Sequence, residues 1–238
     1  MPVSRRRFLV AACAVPGALA SARLIPGASP STVASAPAQE SAFTSSCIVL
    51  DLRDGCVLRE SLDGFKRGFE AVARPFDCVT EQNLRRSSLL FVPGAALGSA
   101  TLARKIRDLT REGATVIYES GAAYAGAEDL GAEQDLLAQY FAVRIDSPIH
   151  LWPATQAAAR PPYVHYEWPN RVMFRDFSRA VPLAAGGKSF AWLGEVPVAG
   201  RVQLGAGEFV FLGSPLGPHL KSGDPEALEL LRAFVSGS

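Results

Sequence analysis

Apolar and polar positions alternate between two periods along this chain. Cys47-Ile48-Val49-Leu50-Asp51-Leu52 is a short apolar run that ends in polar, turn-forming residues, and it predicts a buried strand. From Leu58 to Ala73 the spacing changes. Leu62, Phe65, Phe69 and Val72 recur at intervals of three and four, the period of an amphipathic helix. Phe76 to Thr80 predicts a second strand, and Ser88-Leu89-Leu90-Phe91-Val92 a third, stopped by Pro93-Gly94. Ser99 to Glu112 predicts a helix with Leu102, Ile106 and Leu109 on its inner face and Gly113 as its stop. Ala114 to Tyr118 predicts a fourth strand.

Strand, helix, strand in this order implies parallel strands joined by helical crossovers. The expected fold class is therefore α/β, a flavodoxin-like parallel sheet flanked by helices on both faces. Beyond Gly126 the pattern loosens. Glu133 to Phe141 predicts a helix, and Val143 to Leu151 and Tyr163 to Tyr166 predict strands. Arg160-Pro161-Pro162 and Trp168-Pro169-Asn170 interrupt regular structure there. Val172 to Phe174, Phe190 to Leu193, Arg201 to Leu204 and Phe209 to Leu212 predict short strands, mixed or antiparallel. Asp224 to Val235 closes the chain as a helix, with Asp224 as cap and Pro225 in its first turn.

The first residues follow neither period. Ser4-Arg5-Arg6-Arg7-Phe8-Leu9 precedes the apolar run Val10 to Ala20, which makes a secretory signal. The paired arginines followed by Phe-Leu resemble a twin-arginine signal, which implies a periplasmic or secreted protein. Phe8 to Ala20 is shorter than the ~20 apolar residues a bilayer span needs, so no membrane span is expected in the mature form. Small residues place cleavage after Ala20, Ala22 or Ala38. Val10-Ala11-Ala12-Cys13 also resembles a lipoprotein box, but the apolar run before Cys13 falls short of the ~7 residues a signal core needs. Ala28 to Gln39, rich in Ala, Ser and Pro, reads as a linker. The expected organisation is signal and linker over 1–38 and a single domain over 45–238.

Charge adds one exclusion. Of 24 Lys and Arg, four (Arg5, Arg6, Arg7 and Arg23) lie before Gln39 with no acid beside them. The remaining 20 basic residues face 23 acidic ones, so the body is mildly acidic and no nucleic-acid partner is expected. After export three cysteines remain, Cys47, Cys56 and Cys78. An odd count leaves at least one thiol free or bonded between molecules, and as a group they read as small buried hydrophobes. No Cys-x-x-Cys and no His, Cys, Asp and Glu spacing suits a metal, and no cofactor is expected.

Parallel sheets bind ligands at the carboxyl ends of their strands. Three strand ends therefore matter: Asp51 to Gly55, Pro93 to Ala96 and Glu119 to Ala122. Here the chain, from Cys47 to Val235, resembles the class I glutamine amidotransferase-like superfamily, especially the domain associated with biotin-protein ligase N-termini. Phe91-Val92-Pro93-Gly94-Ala95 stands where that family has a strand ending in Pro-Gly-Gly, whose amides form an oxyanion hole. Val116-Ile117-Tyr118-Glu119-Ser120-Gly121 stands where it has a Gly-x-Cys-x-Gly elbow. Gly207 to Pro215 stands where a late strand delivers a His-x-Glu pair. The resemblance implies a ligand site built from Pro93, Gly94, Ala95, Glu119, Ser120, Gly121 and Ser214.

Its catalytic positions are altered. The nucleophile position holds Glu119, the histidine position Gly213 and the carboxylate position Pro215. Amide transfer needs all three roles within hydrogen-bond reach, so no glutaminase activity is expected. The expectation is a silent domain that binds a small molecule or a protein partner. The alternative is a hydrolase using Glu119 as general base with a histidine such as His165, from His165-Tyr166-Glu167. Ser120 lacks the Gly-x-Ser-x-Gly setting of a nucleophile. His219 reads as a turn residue, Gly186-Gly187-Lys188-Ser189 as a hairpin turn, and Tyr163, Tyr166, Trp168 and Phe174 as core aromatics.

The export reading has a direct check. Replacing Arg5 and Arg6 by lysines keeps the charge but removes the planar guanidinium groups. Fractionation of cells carrying that variant should show precursor retained in the cytoplasm, whereas undiminished periplasmic accumulation would assign the general secretory route.

Overall fold

A computed structural model describes residues 46–53, 55–150, 163–175 and 179–237, all within the unit Ser41–Ser238. The signal, the linker, Cys13, the three cleavage positions and Arg160-Pro161-Pro162 lie outside the described residues.

The chain runs β1 (Cys47–Asp51), α1 (Arg59–Ala71), β2 (Asp77–Thr80), a 3-10 turn (Glu81–Asn83), β3 (Leu89–Ala95), α2 (Ala100–Arg111) and β4 (Thr115–Ser120). A second 3-10 turn (Ala122–Tyr124) leads into α3 (Ala127–Phe141). Short strands follow: β5 (Arg144–Ile145), β6 (Ile149–His150), β7 (Tyr163–Tyr166), β8 (Val172–Arg175), β9 (Arg179–Ala180) and β10 (Leu183–Ala185). The chain closes with β11 (Lys188–Leu193), β12 (Val196–Leu204), β13 (Gly207–Leu212), α4 (Gly217–Ser222) and α5 (Pro225–Ser236).

One open sheet carries most of these strands, in the order β2-β1-β3-β4-β13-β12-β11-β7-β8. From β2 to β13 every pairing is parallel. From β13 to β8 every pairing is antiparallel. The expected α/β class with helices on both faces holds, and the sheet is mixed. β10 pairs with β5, and β6 with β9, in two small separate ladders.

Side-chain alternation divides the core in two. Val49, Phe91, Ile117 and Val210 face α1, α4 and α5. Their neighbours Ile48, Leu90, Val116 and Phe209 face α2 and α3. Burial on both faces explains why these strands read as continuous apolar runs. Local chemistry fixes the helix ends. Ser99 caps α2 by accepting from the Leu102 amide at 3.3 Å, and Asp224 caps α5 through the amides of Glu226 and Ala227.

Several boundaries differ from the sequence reading. Pro93-Gly94 does not stop β3. The strand continues to Ala95 through a register shift after Val92, with Gly94 at φ +52. The Gly94 carbonyl turns aside to accept from the amides of Val57 and Leu58, so the pair makes a bulge. β4 runs on to Ser120, placing Glu119 inside the strand. α3 begins at Ala127 rather than Glu133. His219 lies in α4, not in a turn. Gly186-Gly187 joins β10 to β11, which do not pair with each other, so it is no hairpin. Cys78 is exposed and Cys56 half-buried; only Cys47 fits the reading of buried hydrophobes, and all three are free thiols. Among the described residues no helix is long and apolar enough to cross a membrane.

The tightest packing is between α1 and α4. A Cβ at Gly64 would overlap the carbonyl of Gly217, and one at Gly217 would overlap the backbone of Ser61. Gly64→Ala should therefore destabilise by about 3 kcal/mol or more, because backbone rather than a flexible side chain must move. Gly131→Ala in α3, where a Cβ meets nothing within 4 Å, should stabilise by about 0.5–1 kcal/mol. Urea titrations of both variants check the contrast, and equal effects would refute it.

Candidate functional site

The carboxyl ends of the parallel strands bear two distinct features, a buried polar cluster at β4 and an open cleft at β1 to β3. All seven residues of the expected ligand site, Pro93, Gly94, Ala95, Glu119, Ser120, Gly121 and Ser214, are buried. Glu119 and Ser120 also point to opposite faces of the sheet, because consecutive strand residues must.

Glu119 faces α1 and α4. Its Oε2 accepts from the amides of Leu216 and Gly217, each at 2.9 Å, at the entry to α4. Burial pushes its pKa up to about 7, and the Ser61 hydroxyl and the amides of Gly217, Leu216 and Gly94 limit the rise. Gly94 and Glu119 are thus neighbours, as the sequence implied, but they meet in the core rather than in a pocket.

Ser120 faces α3. Its hydroxyl donates to Glu133 Oε1 at 2.7 Å and accepts from the Ala122 amide at 3.2 Å. The Tyr118 hydroxyl lies 2.9 Å from the same carboxylate oxygen and 3.1 Å from the Ala95 carbonyl. Burial raises Glu133 to about 7 as well, against the pull of Ser120 and Tyr118. Glu133 was missed by sequence reasoning. The signal was its place on the stripe Glu133, Leu137, Phe141, a carboxylate on the one face of α3 that is buried.

His165 is not part of either arrangement. It is exposed on β7, opposite Trp192 and Met173. Four strand spacings separate β4 from β7 in the sheet order, or roughly 19 Å at ~4.8 Å each. Glu119 and His165 therefore cannot share a proton. His219, partly buried, lies 3.6 Å from Asp224 and against the ring of Phe174, with its pKa lowered by burial. Gly213 has no room for a histidine, since a Cβ there would overlap the Val181 carbonyl. Of the four core aromatics expected, Tyr166 and Phe174 stack in the core, Trp168 is partly buried and Tyr163 is exposed.

The cleft occupies about 650 Å³. One wall is the end of β1 and the loop after it, with Asp51, Leu52, Arg53, Gly55 and Val57. A second is the end of β2 and its 3-10 turn, Thr80 to Asn83. Two contacts stiffen that turn: Asn83 Nδ2 donates to Thr80 Oγ1 at 3.4 Å, and Lys105 Nζ to the Glu81 carbonyl at 3.0 Å. Ala96, Gly98, Ser99 and Leu102 form the third wall, and Asp129 of α3 stands at the rim. Of the three strand ends named from sequence, Asp51, Leu52, Arg53 and Gly55 of the first and Ala96 of the second line this cleft. Among the described residues no group of His, Cys, Asp or Glu is arranged to hold a metal ion.

No family model matches this sequence, and no curated protein matches it. Solved structures do. The chain is similar to a cold-adapted β-galactosidase from Rahnella sp. R3, at 10% identity and TM-score 0.61, over 81% of this chain and 31% of that one. It is similar to the β-galactosidase of Bacillus circulans sp. alkalophilus, at 12% identity and TM-score 0.59, over 81% and 31%. It is also similar to α-L-fucosidase isoenzyme 2 of Paenibacillus thiaminolyticus, at 12% identity and TM-score 0.51, over 80% and 33%. The chain spans about a third of the length of these glycoside hydrolases, and at such identities the likeness speaks for the fold alone. It overturns the expected membership of the class I glutamine amidotransferase-like superfamily, for the neighbours are glycosidases. The motifs that suggested that family also have other structures here: a bulge at Pro93-Gly94, a strand at Glu119-Ser120 and a closed backbone at Gly213.

The two buried carboxyls give stability a definite pH dependence. Each folded-state value of about 7 lies above the 4.5 of an ordinary glutamate. Between those values the unfolded chain has lost protons that the folded chain keeps. Stability is therefore full near pH 4.5 and falls as pH rises to about 7, by about 3 kcal/mol for each group. His219, lowered by burial, acts oppositely below its ordinary 6.5, but it is one group against two. Urea unfolding at pH 5 and pH 8 should show the loss, and Glu133→Gln should remove about half of it. Equal stability at both pH values would contradict the assignment.

Proposed function

We propose that this protein is an exported α/β domain that binds a small, hydroxyl-rich ligand in the cleft at the carboxyl ends of β1, β2 and β3. The observation that carries this reading is the cleft itself. It combines about 650 Å³ with a lining in which the apolar Leu52, Val57, Ala96 and Leu102 stand among polar residues. The parallel half runs in the order β2-β1-β3-β4-β13, which supports reading it as a flavodoxin-like sheet. In such sheets the crossover direction reverses between β1 and β3, and the reversal opens a crevice suited to a ligand. Buried Glu119 and Glu133 then serve the scaffold rather than the ligand.

The glycosidase neighbours support a saccharide as the ligand class. They also favour a second reading, glycoside hydrolysis, more than they favour a silent domain. That chemistry takes two carboxyl groups about 5–10 Å apart on either side of the scissile bond. Among the described residues, the carboxylates that line this cleft and reach solvent are Asp51, Glu81 and Asp129. Glu119, with its carboxyl sealed from solvent, has no path to a sugar. Release of nitrophenol from nitrophenyl β-galactoside, β-mannoside or α-fucoside, lost in Asp51→Asn or Asp129→Asn, would establish hydrolysis.

Binding is tested by a variant that fills the cleft without disturbing the fold. A Cβ at Gly98 meets nothing within 4 Å, so Gly98→Leu places its side chain in open space on the cleft wall. Calorimetric titration with galactose, mannose, fucose and their disaccharides should show a ligand for the parent protein. The Gly98→Leu variant should lose it at least tenfold while its melting temperature stays within about 2 °C of the parent. Undiminished binding by Gly98→Leu would place the ligand elsewhere.

A further inference from the structure

We infer that Glu119 is a proton-controlled latch that holds the entry of α4 and the loop after β1 on one carboxyl, and through that loop sets the shape of the cleft. The latch is independent of what the cleft binds, because it acts on a wall of the cavity and not on its occupant.

Contacts run without a gap from α4 to the cleft. The amides of Leu216 and Gly217 donate to Oε2 of Glu119, and Leu216, the residue that caps α4, brings no side-chain acceptor of its own. Gly217 lies against the backbone of Ser61 in α1. The Ser61 amide donates to the Leu58 carbonyl, and its hydroxyl bears on Glu119. From the side of β3 the Gly94 amide bears on the same carboxyl. The Gly94 carbonyl accepts from the amides of Val57 at 3.0 Å and Leu58 at 3.1 Å. A Cβ on Gly121, two residues beyond Glu119, would stand 2.4 Å from that carbonyl and 3.2 Å from the Val57 side chain. Val57, with Leu52, Arg53 and Gly55, is the β1 wall of the cleft.

A carboxyl in such a place binds a proton tightly, because its charged form has no water. Oε1 is sealed from solvent, and burial sets the closed-state pKa to about 7 against the ordinary 4.5. Protonated, the group keeps an accepting oxygen for α4 and gains a donor. Ionised, it gains hydration only when α4 and the loop move off it. The charged groups of the surrounding elements stand outside this exchange. Arg59, Glu60 and Asp63 of α1 are exposed. In α4, Lys221 lies 3.6 Å from Glu60 and 3.9 Å from Asp63, and His219 lies 3.6 Å from Asp224. Asp51 ends β1 at the cleft, β3 carries no titratable residue, and Glu208 of β13 pairs with Arg201 at the far end of the strand. Cys56 of the loop is raised above its ordinary 9.0 by burial and then by the charge of Glu119, so its thiol stays protonated near neutrality. Glu133 titrates over the same range on the opposite face of the sheet.

The opened state binds fewer protons than the closed one, so opening is favoured as pH rises from 4.5 toward 7. Residue-resolved amide hydrogen exchange at pH 6 and pH 8, divided by the intrinsic rate at each pH, reads this opening. The amides of Val57, Leu58, Leu216 and Gly217 should lose protection together, on the order of tenfold. Their protection should also lie below the value set by global unfolding in urea at the same pH. Glu119→Gln keeps an accepting oxygen and cannot ionise, and it should abolish the loss at all four amides. Four outcomes would each overturn the latch: protection equal to that of global unfolding, protection unchanged between the two pH values, a loss at α4 without the loop, or an undiminished loss in Glu119→Gln. Should that variant fail to fold, the first three outcomes decide from the parent protein alone.

Discussion

Two amide groups at the entry to α4 find their acceptor on a strand almost a hundred residues earlier, in the carboxyl of Glu119. Helix entries leave backbone donors unmet, and inside a core water cannot meet them. Oε2 of Glu119 accepts from both Leu216 and Gly217. That contact sets how closely α4 approaches the sheet, and with it how closely α1 approaches α4. Gly64 and Gly217 then face each other with no space for a side chain on either. An alanine in place of Glu119 would leave two buried donors without a partner, at about 1–3 kcal/mol each. A glutamate so placed is committed to the scaffold, and its raised pKa is the mark of that burial rather than of a catalytic role.

The opposite face repeats the arrangement with different partners. Glu133 gathers Tyr118 and Ser120 from the same strand, so the last three residues of β4 send polar groups alternately to both layers. Packing around them closes the edge of the sheet at β3 and β4. Gly94 contributes by bulging outward to bind the backbone of Val57 and Leu58, which draws the loop after β1 across the ends of these strands. The same loop, held at one side by this bulge, forms a wall of the open cleft. Closure at β4 and opening at β1 are thus consequences of one set of backbone contacts.

How much of this was legible depends on how each residue signals its surroundings. Strands β1, β3, β4 and β13 were legible because burial on both faces makes them apolar throughout. Helices α2 and α5 were legible because Ser99 and Asp224 announce their starts. β9 and β10 were not, being two and three residues long and held by partners distant in sequence. α3 was misread at its start because Glu133, a charged residue, looks like a helix entry when it is in fact the middle of the buried stripe. Pro93-Gly94 was misread because the same dipeptide can end a strand or bulge it, and the choice lies with the loop it meets. The sequence motifs drew attention to the ends of β3 and β4, whereas the accessible cavity lies toward β1 and β2.

That displacement has a physical reason. A site that activates a nucleophile at the end of β4 needs a backbone turn exposing that residue, and Ser120 and Gly121 instead continue into a buried 3-10 turn. Once Glu119 is sealed by α4, no solvent path reaches it, and the space available to a ligand is whatever the neighbouring crossover leaves. Between β1 and β3 the helices depart to opposite faces of the sheet, α1 to one and α2 to the other, and the strand ends there line the cleft. The crevice is a product of topology before it is a product of side chains. The side chains decide only what enters it, and the described residues that line it include Asp51, Glu81 and Asp129 beside Arg53.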